Sequence, residues 1–256
     1  TVKEDLIPEN NEAVQVVLSN PTNATINDSS GVVLINDDDT ITFTESIITT
    51  SADGAYDVHV ADMDGDGDMD IVSASREDDT IAWYENDGAA NPSWSAADIA
   101  TNADGAYEVF VADMDNDGDM DIVSASYADD TIAWYENNGA TDPSWSAANI
   151  ATSADGAESV FAADMDNDGD MDIVSASAYD DTIAWYDSNG AANPSWSATD
   201  IATSADGATS VFAADMDNDG DIDIISASKD DDTIAWYENA GGFWPASAIT
   251  TSADYA

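Results

Sequence analysis

Hydrophobic and polar positions alternate along most of this chain, and acidic or Asn-Gly segments interrupt the alternation at regular intervals. "EVFVADM" (Glu108 to Met114) and "MDIVSAS" (Met120 to Ser126) have the two-residue period of half-buried strands. "DTIAWYEN" (Asp130 to Asn137) predicts a third strand after a short turn, and "SAANIATS" (Ser146 to Ser153) predicts a weaker fourth. No segment has the 3.6-residue period of an amphipathic helix. The pattern therefore predicts an all-β chain.

This four-strand pattern is repeated. The tryptophans of the "AWY" segments, Trp83, Trp134, Trp185 and Trp236, follow one another at a constant step of 51 residues. Four strands in about fifty residues are typical of a β-propeller blade. The sequence predicts four tandem, four-stranded, propeller-like blades in residues 41–256, with units at about 41–94, 95–145, 146–196 and 197–256.

Residues 1–40 have a different pattern. "EAVQVVLSNPTNATI" (Glu12 to Ile26) and "GVVLINDDD" (Gly31 to Asp39) predict two strands separated by a turn. Two or three strands cannot bury a core alone. We therefore expect this piece to pack on the repeats, on another chain or on a neighbouring domain.

Composition narrows the choice of partners. The 256 residues include 55 acidic and 3 basic side chains, for a formal net charge of -52. Such a charge repels nucleic acid and anionic membranes and favours cations, although acidic surfaces also occur in proteins from saline habitats. With 43% hydrophobic residues the chain can build a core, and without cysteine it has neither disulfides nor thiolate metal sites. No apolar run is long enough to predict a membrane span.

The segment "ADMDNDGDMDIVSAS" (Ala112 to Ser126) carries the candidate chemistry. Numbered from its first aspartate, positions 1, 3, 5, 7 and 9 are Asp113, Asp115, Asp117, Asp119 and Asp121. Glycine at position 6 permits a sharp turn, and alternate side chains in a tight loop can converge on one point. Oxygen ligands suit a hard cation, calcium more than magnesium, because magnesium requires a stricter octahedron with retained water. A solvated acidic turn is the alternative, but uncompensated carboxylates would have raised pKa values.

The first half of this loop resembles an EF-hand loop, but the second half does not. Position 12 is Ser124 instead of glutamate, and the flanking segments are predicted strands. The aspartate at position 9 is therefore the more plausible closing ligand. Asp119 at position 7 is expected to contribute its backbone carbonyl while its carboxylate points to solvent.

The motif "D-x-D-x-D-G-x-x-D", followed by "DIVSAS" and "TIAWYEN", resembles FG-GAP or VCBS-type repeats, the calcium-binding blades also found in integrin α-subunit propellers. The resemblance implies one calcium per loop, about four in all, held by side chains at positions 1, 3, 5 and 9 and the carbonyl at 7. The implied ligands are Asp62, Asp64, Asp66, Asp68, Asp70, Asp113, Asp115, Asp117, Asp119, Asp121, Asp164, Asp166, Asp168, Asp170, Asp172, Asp215, Asp217, Asp219, Asp221 and Asp223. The family usually closes seven blades, so four blades leave a closed ring, an open array and an intermolecular arrangement as alternatives.

Residues 1–40 resemble the second half of a Calx-β domain through "PENNEAVQVVLSNPTNATI" and the terminal "INDDD". The calcium ligands of that family lie at strand ends. The resemblance makes Glu9, Glu12, Asp37 and Asp38 calcium candidates, with a solvated turn as an equal alternative. Half a sandwich suggests a fragment or completion by another chain.

One predicted strand is in surplus. The motif "IATSADGA" and its relatives occur five times, at residues 48–55, 99–106, 150–157, 201–208 and 249–256, whereas the other strands occur four times. Either the sequence is an arbitrary cut through a longer array, or a terminal strand pairs with an adjacent chain.

The sequence does not favour an enzyme. The one histidine, His59, lies in a predicted strand where the other units have phenylalanine, and the "DDT" carboxylates of each unit lie in predicted turns. Trp94, Trp145 and Trp196 are expected in loops, where they would stack on sugars or fill gaps between blades.

We therefore predict a non-enzymatic, calcium-binding structural or adhesive protein of a microbial cell surface or extracellular space. Its expected partners are calcium and other copies of itself or other surface proteins. Assembly of a calcium-stabilised filament by strand exchange through the termini follows from the surplus strand and the half sandwich. The alternative is a carbohydrate-binding, lectin-like propeller module of a larger secreted protein, with glycans as partners.

Overall fold

The computed structural model describes residues 12–17, 22, 25, 30–35 and 44–253, and it divides the chain into two compact units, Thr1–Ile47 and Ile48–Ala256. In the first unit, strand β1 (Glu12–Val17) pairs antiparallel with β2 (Ser30–Ile35). A pair of strands is therefore present where the sequence predicts one. Glu9, Asp37 and Asp38 lie outside the described residues, and the Calx-β resemblance stays a prediction.

The second unit consists of four antiparallel sheets, called blades 1 to 4 here, and each blade runs from an inner to an outer strand in chain order. Blade 1 contains β3 (Ala55–Ala61), β4 (Asp70–Ser75), β5 (Thr80–Asn86) and β6 (Trp94–Ala100). Blade 2 contains β7 (Ala106–Ala112), β8 (Asp121–Ser126), β9 (Thr131–Asn137) and β10 (Trp145–Ala151). Blade 3 contains β11 (Ala157–Ala163), β12 (Asp172–Ser177), β13 (Thr182–Ser188) and β14 (Trp196–Ala202). Blade 4 contains β15 (Ala208–Ala214), β16 (Asp223–Ser228), β17 (Thr233–Tyr237) and β18 (Ala246–Thr250).

The predicted all-β architecture of four-stranded repeats is confirmed. The inner strand β7 begins at Ala106, two residues before the predicted start at Glu108, because Ala106 still pairs with Ser126 across a bulge. The described part of the chain contains no helix of the length and apolar character that crossing a bilayer requires.

The core lies between successive blades. Val72 and Trp83 of blade 1 pack with Val109 and Ile122 of blade 2 in one buried cluster. In blade 2, Trp134 is only 2% exposed and belongs to the next cluster, shared with blade 3. Strands of the middle blades are therefore covered on both faces, and hydrophobic burial between blades is the main stabilising term for the array.

Turn aspartates add polar links between the blades. Asp130, in the β8–β9 turn, has a φ of 58°, and its Oδ1 accepts a hydrogen bond of 3.0 Å from the backbone N–H of Gly156. Asp79 binds Gly105 in the same way. The "DDT" aspartates lie in turns, as predicted. Asp79 joins blade 1 to blade 2, and Asp130 joins blade 2 to blade 3.

The second tryptophan series is not in loops as predicted. Trp94, Trp145 and Trp196 are the first residues of β6, β10 and β14, because each pairs with the last residue of the preceding strand, as Trp145 does with Asn137. Trp145 and Trp196 are half-buried against the clusters between blades. This packing agrees with the alternative in which these tryptophans fill gaps between adjacent blades.

The five copies of the "IATSADGA" motif are connecting segments and not strands of their own: residues 99–106, for example, span the end of β6, a turn and the first residue of β7. The C-terminal copy begins within β18, which pairs with β17 and completes blade 4. The N-terminal copy ends at Ala55, the first residue of β3, and its Gly54 carbonyl accepts a hydrogen bond of 3.0 Å from the N–H of Arg76 in blade 1. Residues 44–50 belong to no strand, and Ile47 is 68% exposed. Successive inner strands contact one another from β3 to β15, but the outward faces of blades 1 and 4 are exposed, so the described blades form an open array.

Candidate metal centre

Four acidic loops lie at the same place in the four blades, each joining the inner strand to the second strand. In each loop the aspartates at positions 1, 3 and 5 bring one carboxylate oxygen apiece within 4.8 Å of one another. These triplets are Asp62, Asp64 and Asp66; Asp113, Asp115 and Asp117; Asp164, Asp166 and Asp168; and Asp215, Asp217 and Asp219. The structure therefore brings together three of the predicted positions in every repeat.

Hydrogen bonds within the loop fold it around its first aspartate. In blade 2, Asp113 accepts hydrogen bonds of 3.1 Å from the backbone N–H groups of both Asp117 and Gly118. Asp117 accepts one of 3.0 Å from the N–H of Asp119. These contacts turn alternate side chains toward one point, which explains why the motif alternates aspartate with other residues.

Two loop positions require a left-handed backbone. Gly118 at position 6 has a φ of 100°, a conformation that L side chains rarely adopt, although a Cβ would meet no atom within 4 Å. Asn116 at position 4 has a φ of 60°, which asparagine tolerates better than most residues. The glycine is therefore needed for its backbone conformation and not for space.

The aspartate at position 9 anchors the loop to the sheet. Asp121 is fully buried, and its two oxygens accept hydrogen bonds from the N–H groups of Asn137 (2.7 Å) and Met114 (3.1 Å). Each carboxylate oxygen has a second lone pair, so these bonds are compatible with a further ligand. Position 9 lies outside the converging triplet, and its role as a ligand, like that of the position 7 carbonyl, stays a prediction.

Backbone hydrogen bonds compensate the charges in the loop only in part. Burial raises the pKa of Asp121 to about 7 and that of Asp172 to about 6, and burial also raises the pKa of Asp115. The Oδ1 atoms of Asp62 and Asp115 are buried without a hydrogen-bond partner. A buried acceptor without a donor is costly, and a cation bound by the triplet would satisfy it. The donor set, composed only of oxygens, fits a hard cation.

Sequence reasoning missed a sixth acidic position beside each loop. Glu136, near the end of β9, raises the pKa of Asp115 through charge repulsion, and Asp187 acts in the same way on Asp166. The sequence does contain a pattern that could have revealed this position: an acidic residue follows "WY" in every unit, for example Glu85 in blade 1. This residue increases the negative potential at the triplet.

The carboxylate of Asp119 was predicted to point to solvent, and in blades 3 and 4 the equivalent position 7 carboxylates accept hydrogen bonds from the preceding blade. Asp170 accepts a hydrogen bond of 3.3 Å from Asn116 of blade 2. Asp221 accepts one of 3.2 Å from Asn167 of blade 3. A side-chain amide at position 4 reaches the next loop, so neighbouring loops are connected; in blade 1 position 4 is Gly65, which has no amide side chain.

Basic groups in the described ranges are engaged away from these loops. Lys229 forms an ion pair of 3.0 Å with Glu158, and Arg76 lies 5.6 Å from the rings of Tyr107 and Tyr127. Burial lowers the pKa of His59, whose ring packs edge-on against that of a neighbouring phenylalanine. These contacts support a packing role for these residues.

The fold and the loops together define a class: a tandem array of propeller-like blades, each with an oxygen-rich loop suited to a cation. The chain belongs to the FG-GAP-like repeat family, whose sequence profile matches residues 16–73, 62–124, 113–175 and 164–226. A comparison with curated protein sequences gave no match.

Solved structures with a similar backbone are distant in sequence. The complex of BBS1N with ARL6DN gives a TM-score of 0.52 at 14% identity, covering 78% of this chain and 58% of that one. The Vibrio cholerae biofilm matrix protein Bap1 gives 0.48 at 22% identity, covering 74% of this chain and 27% of that one. A protein from Lactobacillus plantarum gives 0.49 at 16% identity, covering 93% and 66%. At 14% identity, the likeness to the BBS1N–ARL6DN complex describes the fold alone.

Replacing Asp115 by asparagine is expected to remove one bound ion and leave the other three. The substitution removes a charge from the triplet while it keeps the shape of the side chain. Calcium per chain should fall from four to three when measured by native mass spectrometry. Asp98→Asn, which removes the same charge from an exposed position of the outer strand β6, outside the triplets, is the matched control and should keep four. An unchanged count in Asp115→Asn would contradict the ligand assignment.

Proposed function

We propose that this chain is a non-enzymatic, extracellular, calcium-binding structural or adhesive surface protein. The observation that carries the proposal is the convergence of three carboxylates in the same loop of all four repeats. A metal that cross-links each loop would stabilise the chain in the absence of cysteines. The ligands are those named from the sequence: side chains at positions 1, 3, 5 and 9 and the carbonyl at position 7.

Calcium is the proposed ion because the loop offers many oxygens in a flexible arrangement. Calcium accepts six to eight oxygen ligands, whereas magnesium needs a near-ideal octahedron and retains water. Extracellular sites of this kind operate at about 0.1 to 1 mM dissociation constants. Calcium binding and an extracellular location therefore support each other in this proposal.

Filament formation by strand exchange is part of the proposal. Residues 44–50 repeat the sequence pattern of an outer strand yet belong to no strand, and Ile47 and Ile48 are 68% and 38% exposed. An unpaired segment with strand sequence can add to the edge of a sheet in another chain. The outer strands of the blades provide such edges.

Analytical ultracentrifugation tests this assembly. In millimolar calcium the protein should form large species that dissolve after chelation. Ile47→Lys combined with Ile48→Lys should abolish them, because lysine on an added strand opposes edge pairing. Phe243→Lys, which changes a residue that is 71% exposed and lies in the β17–β18 connection, is the control and should assemble normally. Assembly of the double variant would contradict strand exchange.

The lectin alternative receives less support from the tryptophans on which it depended. Trp145 and Trp196 are half-buried between blades, so part of each ring is unavailable to a sugar. Trp145→Ala should lower stability without changing retention on a glycan array. Loss of glycan binding in that variant, with stability retained, would favour the lectin alternative.

Calcium binding is expected to release protons at pH 6. Asp121 and Asp172 have pKa values of about 7 and about 6 in the metal-free chain, so both are partly protonated there. Their pKa values are raised, so the stability they contribute is present below their unfolded values and is lost as pH rises through about 6 to 7. Calcium requires the ionised form, so binding should release between about one and two protons per chain at pH 6 and almost none at pH 8.

Titration calorimetry in two buffers of different ionisation enthalpy measures this release. The apparent binding heats should differ between the buffers at pH 6 and agree at pH 8. Equal heats in both buffers at pH 6 would contradict the coupling of these buried carboxyl groups to the ion.

A further inference from the structure

Amide side chains at position 4 connect neighbouring acidic loops, which are called loops 1 to 4 after their blades. Asn116 of loop 2 donates hydrogen bonds of 3.2 Å to the carbonyl of Gly169 and of 3.3 Å to the carboxylate of Asp170 in loop 3. Asn167 of loop 3 makes the same pair of bonds to loop 4, at 3.3 and 3.2 Å. Each amide therefore contacts positions 6 and 7 of the loop in the following blade.

Position 4 lies between two members of the aspartate triplet in its own loop. In loop 2, Asn116 separates Asp115 from Asp117, and the carboxylate oxygens of both converge with that of Asp113. A cation bound by this triplet would restrict the backbone on both sides of Asn116. The direction of the amide is therefore tied to the occupancy of the loop that carries it.

The acceptors belong to a part of the next loop that the proposed ligand set uses. The backbone carbonyl of Asp170, at position 7 of loop 3, is one of the proposed ligands. The chain turns sharply just before it, because Gly169 has a φ of 98°. Two hydrogen bonds from Asn116 to these consecutive residues restrict the backbone at the turn. A loop that is already ordered loses less conformational entropy when it binds an ion, so its affinity is higher.

The pair formed by loops 1 and 2 lacks this link. Position 4 of loop 1 is Gly65, whose φ of 73° is close to the 60° of Asn116, so the backbone conformation is shared and the amide is missing. A cavity of about 460 Å³ lies between these two loops, and its lining includes Gly65, Gly118 and Asp119. Loops 1 and 2 are therefore an internal reference for neighbouring loops without the position 4 amide.

A second amide joins adjacent blades at positions that are not proposed ligands. Asn137 donates to the carbonyls of Met63 and Met120, at position 2 of loop 1 and position 8 of loop 2. Asn239 makes the equivalent bonds between loops 3 and 4, whereas blade 3 has Ser188 at this place. This amide holds two blades in register and does not contact positions 6 and 7.

We propose that Asn116 and Asn167 are positioning residues that couple metal binding in adjacent loops. This inference rests on the proposed calcium binding by the loops. With an ion in loop 2, the amide of Asn116 is held in place and orders positions 6 and 7 of loop 3, so that loop 3 binds its ion more tightly. The coupling is reciprocal, because an ion in loop 3 raises the affinity of loop 2 by the same factor. Loops 2, 3 and 4 form a coupled series, and the position 4 link is absent between loops 1 and 2.

NMR spectroscopy can follow the four loops separately in the intact chain. In every loop the N–H of the position 6 glycine donates a hydrogen bond of 3.0 to 3.2 Å to the position 1 aspartate, so its signal reports on its own loop. The reporters for loops 1 to 4 are Gly67, Gly118, Gly169 and Gly220. A calcium titration then gives one apparent dissociation constant for each loop.

Asn116→Gly gives loop 2 the residue that loop 1 has naturally. The apparent dissociation constant of loop 3 should rise about threefold to tenfold, the factor that a net hydrogen bond contributes, while that of loop 1 changes by less than about twofold. Asp115→Asn, which removes the ion from loop 2, should weaken loop 3 by a similar factor. Combining the two substitutions should weaken loop 3 little further, because both remove the same coupling.

Two matched variants separate this coupling from an effect on folding. Gly65→Asn supplies the missing amide, at a backbone φ that asparagine tolerates and where a Cβ meets no atom within 4 Å, and it should lower the dissociation constant of loop 2 several-fold. Asn167→Gly should weaken loop 4 in the way that Asn116→Gly weakens loop 3, although Asn239 still holds blades 3 and 4 in register.

A loop 3 that keeps its affinity in Asn116→Gly, or in Asp115→Asn, would overturn the coupling, and so would a change confined to loop 2. In those cases four ions would still bind to the unmodified chain, and the proposed function would stand. Glycine signals that do not move when calcium is added would contradict the proposed function and the coupling together.

Discussion

Removal of calcium with a chelator is expected to lower the midpoint of thermal unfolding by about 20 to 40 °C. A ligand that binds only the folded state adds about 2.7 kcal/mol per site when its concentration is about 100-fold above the dissociation constant, which for a constant of about 0.1 mM requires about 10 mM calcium. Four independent loops then contribute about 11 kcal/mol, and each kcal/mol shifts the midpoint by about 2 to 4 °C for a unit of this size. Differential scanning calorimetry with and without excess chelator measures the shift.

Magnesium and the Asp115→Asn variant serve as controls for this shift. Magnesium at the same concentration should restore only a minor part of the lost stability, because magnesium needs a near-ideal octahedron and gives up its bound water reluctantly. In the Asp115→Asn variant, the rise of the unfolding midpoint caused by calcium should be smaller by about a quarter. A chelated protein that unfolds at the same temperature as the calcium-loaded protein would contradict a stabilising role for the loops.

Replacement of Trp134 by alanine is expected to destabilise the array by about 3 to 5 kcal/mol, the range for large-to-small substitutions of a buried aromatic residue. Trp134 is 2% exposed and lies in the cluster between blades 2 and 3, where no rearrangement at the surface can fill the resulting cavity. Urea unfolding in saturating calcium isolates this effect from metal binding.

Trp145→Ala is the matched control, because it removes the same side chain from a half-buried position in the same blade. Its loss of stability should be clearly smaller. Equal losses for the two variants would indicate that outer-strand packing matters as much as the core between blades. A loss below about 1 kcal/mol for Trp134→Ala would contradict that core as the main stabilising element.

The repeated strands and the acidic loop were predictable from sequence because both have short, local periods. Alternation in "DIVSAS" specifies a strand, and Gly118 at position 6 specifies the turn, whatever the rest of the chain does. The convergence of Asp113, Asp115 and Asp117 follows from that local geometry. These features depend on a dozen contiguous residues, so one sequence was sufficient.

Features that depend on contacts between blades were not predictable in the same way. The link from Asn116 to Asp170 joins residues 54 apart, and the bond from Gly156 to Asp130 joins residues 26 apart. Trp145 was placed in a loop because its "PSW" context contains turn residues, whereas pairing with Asn137 makes it the start of β10. In each case a long-range contact decides the role of the side chain.

The number of calcium ions bound per chain shows whether every acidic loop holds a metal ion. Equilibrium dialysis with radioactive calcium at about 10 mM, well above the proposed dissociation constants, should give four ions per chain. Each repeat should hold one ion, and chelation should remove all four. A chain that binds no calcium at millimolar concentration, or that keeps its ion count when the aspartate triplets are changed to asparagine, would contradict it.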